Sequence, residues 1–110
     1  MKKLYDKVAN IVLSFEGVKK KQSKNQTTFK DKYRSILHLR FDDEKLTIAL
    51  ARGAQLQKRY PFLEGNGSVV RHIYLHDISE LDEGVLREII KESMILNMEH
   101  YELKKLKGKL

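Results

Sequence analysis

The sequence predicts a two-layer α+β domain, in which an N-terminal helix and a long C-terminal helix pack on one face of an antiparallel sheet. Three observations predict this fold: apolar residues at helical spacing near both ends of the chain, alternating apolar residues between them, and only two helices for one sheet. Two helices cover one face of a sheet and leave the other in water. We expect residues 1–110 to form a single domain, since one core usually needs about 100 residues.

The first helix is predicted to start at Leu4, because apolar residues follow at intervals of three and four as far as Phe15. Gly17 is expected to end it. Residues 18–32 are polar, with Phe29 as their one large apolar anchor. We expect a weak strand or an exposed hairpin there.

A β-hairpin is predicted around the acidic turn at residues 42–45. Residues 36–41 are mostly apolar, and Leu46, Ile48 and Leu50 alternate with small or polar residues after the turn. Residues 54–68 contain the only proline and are expected to form one long structured loop. Alternation resumes over residues 69–76 and predicts the last strand.

The C-terminal helix is predicted over residues 85–106, after a turn whose Asp and Glu residues favour a helix N-terminus. Its apolar residues cover nearly half of the circumference, with Ile95 and Met98 on the opposite, charged side. The residues of this apolar side are Val85, Leu86, Ile89, Ile90, Met94, Leu96, Tyr101 and Leu103. A sheet needs a narrower face, so either the first helix or a second subunit packs on the excess, and a homodimer is one possibility.

The chain is basic, with 22 Lys and Arg against 15 Asp and Glu and a formal charge of +7. Such a balance favours anionic partners, because Lys and Arg release the counterions of phosphates. Much of the excess lies in two lysine tracts, residues 19–24 and 104–109, and tracts of this kind are commonly only solvated. Aromatic residues are only 8% and do not interleave with basic ones along the sequence, so specific nucleic-acid recognition is not expected.

The composition excludes several classes of site. The absence of cysteine excludes disulfides, zinc–thiolate centres and thiol nucleophiles. No apolar stretch approaches the roughly 20 residues of a membrane span, and no signal-peptide core follows the basic N-terminus. The serines and histidines lie in no nucleophile elbow or triad context. We therefore expect a cytoplasmic protein that has no membrane partner and is not an enzyme.

The most informative segment combines glycines with basic residues. The candidate ligand-binding residues are Arg52, Gly53, Gly65, Asn66, Gly67, Arg71 and His72. Glycines allow positive φ and leave amides uncovered, so that the loop at residues 65–67 and its basic neighbours form a possible anion pocket. The alternative is a tight loop in which Arg71 bonds to backbone carbonyls or to Glu64. Because side chains alternate along a strand, Arg71 and His72 should lie on opposite faces.

Three short patterns in this region resemble a known family. A strand ending in Gly-Ala-x-Leu, a Leu-Glu-Gly-x-Gly loop and an Arg-His-Ile strand before a closing helix are similar to the YdhG-like bacterial domain of unknown function, over residues 46–93. The resemblance implies a frataxin-like fold and, for some members, a role in iron handling. Iron is therefore a possible cofactor. Frataxin-like iron binding uses carboxylates on the first helix and strand, where this chain has Asp6 and Glu16 among many lysines.

Two weaker sets of metal ligands are conceivable. One comprises His76, Asp77 and Glu80, with Asp82 and Glu83 beside them, and the other comprises His38 with Asp42 and Asp43. Acidic residues at a hairpin turn or before a helix equally serve solubility and capping.

These observations favour a small, non-enzymatic binding or accessory protein with a possible anion-binding loop. Its partner would be a small anion or another protein. The alternatives are an iron-binding chaperone of frataxin-like type and a non-specific nucleic-acid binder that uses the lysine tracts.

Overall fold

The computed structural model describes residues 1–108 and has the predicted two-layer α+β arrangement. Its helices are α1 (Lys2–Leu13), the short α2 (Gly53–Leu56) and α3 (Glu83–Leu106), and a 3₁₀ helix spans Ile78–Glu80. Its strands are β1 (Lys19–Gln22), β2 (Thr27–Lys30), β3 (Ser35–Phe41), β4 (Leu46–Leu50) and β5 (Arg71–Leu75). The strands lie in sequence order in one antiparallel sheet. Within residues 1–108, no helix has the length and apolar character needed to cross a membrane.

One face of the sheet carries the core, and we call it the covered face. Leu39 of β3 pairs with Ile48 of β4, and both side chains are buried. Val12 of α1 and Ile89 of α3 belong to the same hydrophobic cluster, and α1 and α3 contact each other as well as β3. Both long helices therefore pack on one face, as predicted, and the other face of the sheet remains open.

A β-bulge interrupts the pairing of β2 with β3. Phe29 pairs with Leu37, and Lys30 pairs with Ser35, so that Ile36 is an extra residue on β3. The bulge explains why Ile36 and Leu37 are both fully buried, although neighbouring residues of a regular strand face opposite sides.

The hairpin that was one of two predicted alternatives for residues 18–32 is present as β1–β2. Other predicted boundaries differ from the structure, and the last strand is shorter than the predicted 69–76. Residues 54–68 are more ordered than a loop, because α2 lies there and Leu56, Tyr60 and Leu63 join the core.

The apolar side of α3 is covered only in part. Met94 and Leu96 pack against the core, but beyond Ile90 the fully covered residues are polar, namely Ser93 and Asn97. Tyr101 and Leu103, also on the predicted apolar side, are 37% and 54% exposed. A helix of 24 residues is about 36 Å long and extends past the sheet, so its last turns find no core to cover.

Candidate functional site

The predicted anion loop is held closed by its own hydrogen bonds. The guanidinium of Arg71 donates from Nε to the side chain of Gln57 and from Nη1 to the carbonyl oxygens of Gly67 and Val70. Gln57 in turn donates to the carbonyl of Leu63 (2.5 Å). The structure thus has the tight-loop arrangement, in which Arg71 bonds to backbone carbonyls.

Two glycines of this segment are required by the backbone conformation and by the close packing of the chain. A Cβ added to Gly53 would overlap the backbone and Cβ of Arg71, so only glycine fits this close approach of α2 to β5. Gly65 has φ +126°, a backbone conformation that would be strained for a residue with a side chain. Asn66 and Gly67 are exposed, and neither constraint applies to Gly67.

Arg52 points away from this loop and towards α3. Its Nε donates to Oδ1 of Asn97 (2.7 Å), and the amide of Asn97 donates to Oδ2 of Asp31 (3.1 Å). All three side chains are more than nine-tenths buried. Burial lowers the pKa of Arg52, and the positive charge of Arg34 acts in the same direction. Arg52 therefore belongs to a buried polar cluster that joins α3 to the start of β3.

The structure does not bring Arg52, Arg71 and His72 together. His72 pairs with Ala49, and Arg71 pairs with Leu50, on opposite faces of the sheet. Arg52 is buried under α3, apart from the other two, whereas Arg71 Cδ and His72 Nδ1 would lie 3.4 and 3.5 Å from a Cβ placed on Gly65.

The predicted metal ligands His76, Asp77 and Glu80 form a cap for the 3₁₀ helix. The Asp77 carboxylate accepts from the amide of Ser79 (3.0 Å), and the Glu80 carboxylate accepts from the amides of His76 (2.5 Å) and Asp77 (3.1 Å). These bonds hold the pKa of both carboxyl groups below their ordinary values. Among residues 1–108, no cluster of three or more His, Asp or Glu side chains is placed to hold a metal ion.

The water-facing side of the sheet, which we call the open face, is strongly basic. Two rows of paired residues cross it: Lys21, Thr28, His38, Ala49 and His72 in one, and Arg40, Thr47 and Tyr74 in the other. Lys19 and Lys30 pair on the same side. At its β5 edge the backbone of Glu64 pairs with that of His72. β1, β2, β3 and β5 thus contribute basic, hydroxyl or aromatic side chains to one surface, whereas Thr47 of β4 is only 4% exposed.

Two aromatic rings are stacked on each other on the open face. The rings of His72 and Tyr74 are nearly parallel, with an interplanar angle of 8° and centroids 5.7 Å apart. The Nζ atom of Lys45 lies 4.7 Å from the centroid of the Tyr74 ring. This arrangement combines positive charge with aromatic surface, which the linear sequence does not.

A hollow of about 260 Å³ lies beside Tyr74 on the open face. Its lining residues are Asn25, Arg40, Phe41, Asp42, Lys45, Thr47 and Tyr74. Asp42 accepts from the amides of Glu44 (2.8 Å) and Lys45 (2.9 Å), and these bonds lower its pKa. The Asp42 carboxylate is thus used within the turn, while Arg40 and Lys45 supply cations to the hollow.

His38 contributes a titratable group to the open face. Its Nδ1 is 2.8 Å from the Thr28 hydroxyl, and burial lowers the pKa of the imidazole. The second predicted metal set, His38 with Asp42 and Asp43, is not brought together as a metal cluster in the part of the chain that the structure describes.

The two lysine tracts have different positions. Lys19 and Lys21 lie on the open face, whereas Lys104 and Lys105 lie on the exposed end of α3. Lys109 lies outside the described residues.

Comparisons of this chain with protein-family models, with curated proteins and with solved structures find no match. The YdhG-like resemblance and the iron handling that it implies therefore stay predictions.

Proposed function

We propose that the protein binds single-stranded nucleic acid on its open face. The observation that carries the proposal is the gathering of basic residues from four of the five strands, β1, β2, β3 and β5, on one water-facing surface, beside the parallel rings of His72 and Tyr74. This is the third function that the sequence suggested, but it uses a different surface from the two lysine tracts as a whole.

The two chemistries of the open face match the two parts of a nucleotide. Lys and Arg side chains bind phosphates and release their counterions. Aromatic rings stack on unpaired bases, whatever their sequence. In the hollow beside Tyr74, Arg40 and Lys45 are close enough to a ring for one nucleotide to contact all three.

A single strand suits this surface better than a duplex. Base faces in a duplex are stacked on each other and unavailable to the rings of His72 and Tyr74. The five strands form a broad surface about 19 Å across, and within residues 1–108 no helix lies on that side to enter a major groove.

The other functions have less support from the geometry. The donors of Arg71 that were expected to hold an anion are bonded to Gln57 and to loop carbonyls. On α1 the carboxylate of Asp6 pairs with Lys2 (2.8 Å), which opposes its use as an iron ligand. We further propose a non-enzymatic role in the cytoplasm, a setting that agrees with the absence of cysteine.

Fluorescence anisotropy with a labelled single-stranded RNA or DNA of about 20 nucleotides tests the proposal. We expect single strands to bind more tightly than the duplex of the same sequence. Affinity should fall steeply as salt rises from about 0.05 to 0.3 M. Equal affinity for the duplex would contradict the stacking part of the proposal, and no binding at low salt would overturn all of it.

Two charge-reversed variants separate a local surface from net charge. Arg40→Glu with Lys45→Glu changes the open face, whereas Lys104→Glu with Lys107→Glu makes the same change in charge on the α3 end. We expect about a tenfold or greater loss of affinity for the first and a much smaller loss for the second. The reverse order would place binding on the C-terminal lysine tract instead.

Stacking is tested by Tyr74→Ala against Tyr74→Phe. Phenylalanine keeps the ring, so Tyr74→Phe should bind nearly as the unchanged protein does. Loss of the ring should weaken binding about 5- to 100-fold, the range that alanine substitution of a stacked residue gives.

A further inference from the structure

A second surface lies on α3, on the side turned away from the sheet. Six exposed residues follow one another there at alternating intervals of three and four: Glu88, Lys91, Ile95, Met98, Glu102 and Lys105. This spacing keeps them in one slowly winding line, as in the seam of a coiled coil. We call this line the α3 stripe.

The α3 stripe is complementary to itself when it is reversed. Lys91 and Glu102 are equally distant from the midpoint between residues 96 and 97. The same holds for the pair Glu88 and Lys105 and for the pair Ile95 and Met98. Two copies of α3 packed antiparallel about that midpoint would therefore place each charge opposite the contrary charge of the other copy, with apolar side chains in the centre.

Nothing within one chain uses these charges. In residues 1–108, none of the four charged side chains of the stripe takes part in an ion pair or side-chain hydrogen bond. By contrast, the neighbouring Arg87 pairs with Glu83, and Glu92 pairs with Arg59, outside the stripe. Ile95 and Met98 are each 42% exposed in the single chain.

An apolar groove of about 550 Å³ widens this surface. It runs beside the stripe and is lined by Phe15, Tyr33 and Met94 together with Ile95 and Met98. The charged residues at its edges are Glu16, Lys32 and Lys91. Because they carry both signs of charge, they repel neither end of an approaching helix.

The projecting end of α3 has the length to lie in this groove. No residue of α3 beyond Asn97 is buried, although the helix continues for more than two turns to Leu106. In an antiparallel pair, the end of each helix lies over the N-terminal half of the other, where the groove begins. A helix end that has no buried residue in the single chain, and contacts the domain through Tyr101 against Tyr33, is then packed in both copies.

We propose that the chain forms an antiparallel homodimer through the α3 stripe and the groove beside it. The partner is a second copy of this chain, chosen by the pattern of charges along the stripe. The dimer uses the helical layer and leaves the open face of each copy in water, so it does not depend on nucleic-acid binding.

Sedimentation velocity over a range of protein concentrations tests the dimer. We expect a reversible dimer, and a chain that remains monomeric at about 0.5 mM would overturn the proposal. Lys91→Glu places like charges opposite each other twice, once on each side of the two-fold axis, and should weaken the dimer about tenfold. Glu102→Lys should do the same.

The double variant Lys91→Glu with Glu102→Lys restores the opposite charges and should recover dimerisation to within about threefold. Lys104→Glu is the matched control, because it makes the same charge change on the other side of α3. Circular dichroism shows whether each variant is folded. A folded double variant that stays monomeric, or a control as weak as Lys91→Glu, would overturn the pairing.

The direction of packing has its own test. The chain has no cysteine, so an introduced one is unique. In the antiparallel arrangement Ile95 faces Met98 of the other copy. A mixture of Ile95→Cys and Met98→Cys chains should therefore give mainly mixed disulfide dimers on mild oxidation. Dimers formed mainly between identical variants would indicate parallel packing and overturn the proposal.

Discussion

The two faces of the sheet are made from the same strands, yet residues on one face form the core and residues on the other face water. Along β3 and β4 the covered face holds Leu39 and Ile48, which are at most 1% exposed. Their neighbours Arg40 and Thr47 lie on the open face, where Arg40 reaches water. Adjacent positions of one strand therefore have different roles: one residue is needed for stability, and the next is available for binding.

The largest expected effect on stability comes from substituting alanine for each of two adjacent residues, one on each face of β3. Leu39→Ala leaves a cavity in the core and should lower the free energy of unfolding by about 2 to 5 kcal/mol. Arg40→Ala should change it by less than about 0.5 kcal/mol while weakening nucleic-acid binding. Urea denaturation and anisotropy measure the two effects. If Arg40→Ala were as destabilising as Leu39→Ala, the open face would be a structural surface.

The second largest effect on stability is expected at Gly53, where α2 approaches β5 closely. Gly53→Ala would force its methyl group into the backbone of Arg71, so we expect a loss of about 3 kcal/mol in the free energy of unfolding. Gly67→Ala is the matched control, because a Cβ there would meet only the Val70 carbonyl oxygen, at 3.9 Å. Equal stability of the two variants would show that α2 can move away from β5.

Arg71 sharpens the comparison, since it is a basic residue on the covered side. Arg71→Ala leaves Gln57 and the carbonyls of Gly67 and Val70 without their donor and should cost about 1 to 2 kcal/mol. Nucleic-acid affinity should stay nearly constant. His72→Ala, one residue along on the open face, should show the opposite pattern. A large loss of affinity in Arg71→Ala without loss of stability would revive the anion loop.

Local patterns in the sequence were sufficient to predict the layers of the fold. The alternation of Leu46, Ile48 and Leu50 predicts β4 and its buried side without knowledge of any other strand. The opposite directions of Arg71 and His72 follow from the same period of two.

Features that depend on distant partners could not be predicted in this way. The bulge at Ile36 exists only in relation to β2. Asn97 is buried because it bonds to Arg52 and Asp31, which are 45 and 66 positions away in the sequence. The helical period of α3 does not show where the sheet beneath it ends, so it could not show that Tyr101 and Leu103 lie exposed beyond the core.

The candidate site was missed for the same reason. Its basic residues and its rings come from different strands, and only the register brings Arg40 beside Tyr74 through Thr47. Along the sequence, basic and aromatic residues do not interleave. The signal that was present is the basic character of the polar positions in β3 and β5, namely His38, Arg40 and His72.

The smallest expected effect concerns His38, whose protonation should change both the stability of the fold and the affinity for nucleic acid. Burial lowers the pKa of its imidazole in the folded chain, so the unfolded chain binds a proton more readily. Stability is therefore fully present above the usual histidine pKa of about 6.5 and decreases as pH falls below it towards the lower pKa of the folded chain. Phosphates on the open face favour the protonated form, so nucleic-acid affinity should rise over the same interval.

Urea denaturation and anisotropy at a series of pH values test both trends. His38→Asn should reduce each slope, because asparagine does not titrate. The pKa of His100 is also lowered, chiefly by desolvation, but it lies on α3, away from the open face. His100→Asn should therefore leave the affinity slope unchanged. If His38→Asn altered neither slope, protonation of His38 would be uncoupled from both folding and binding.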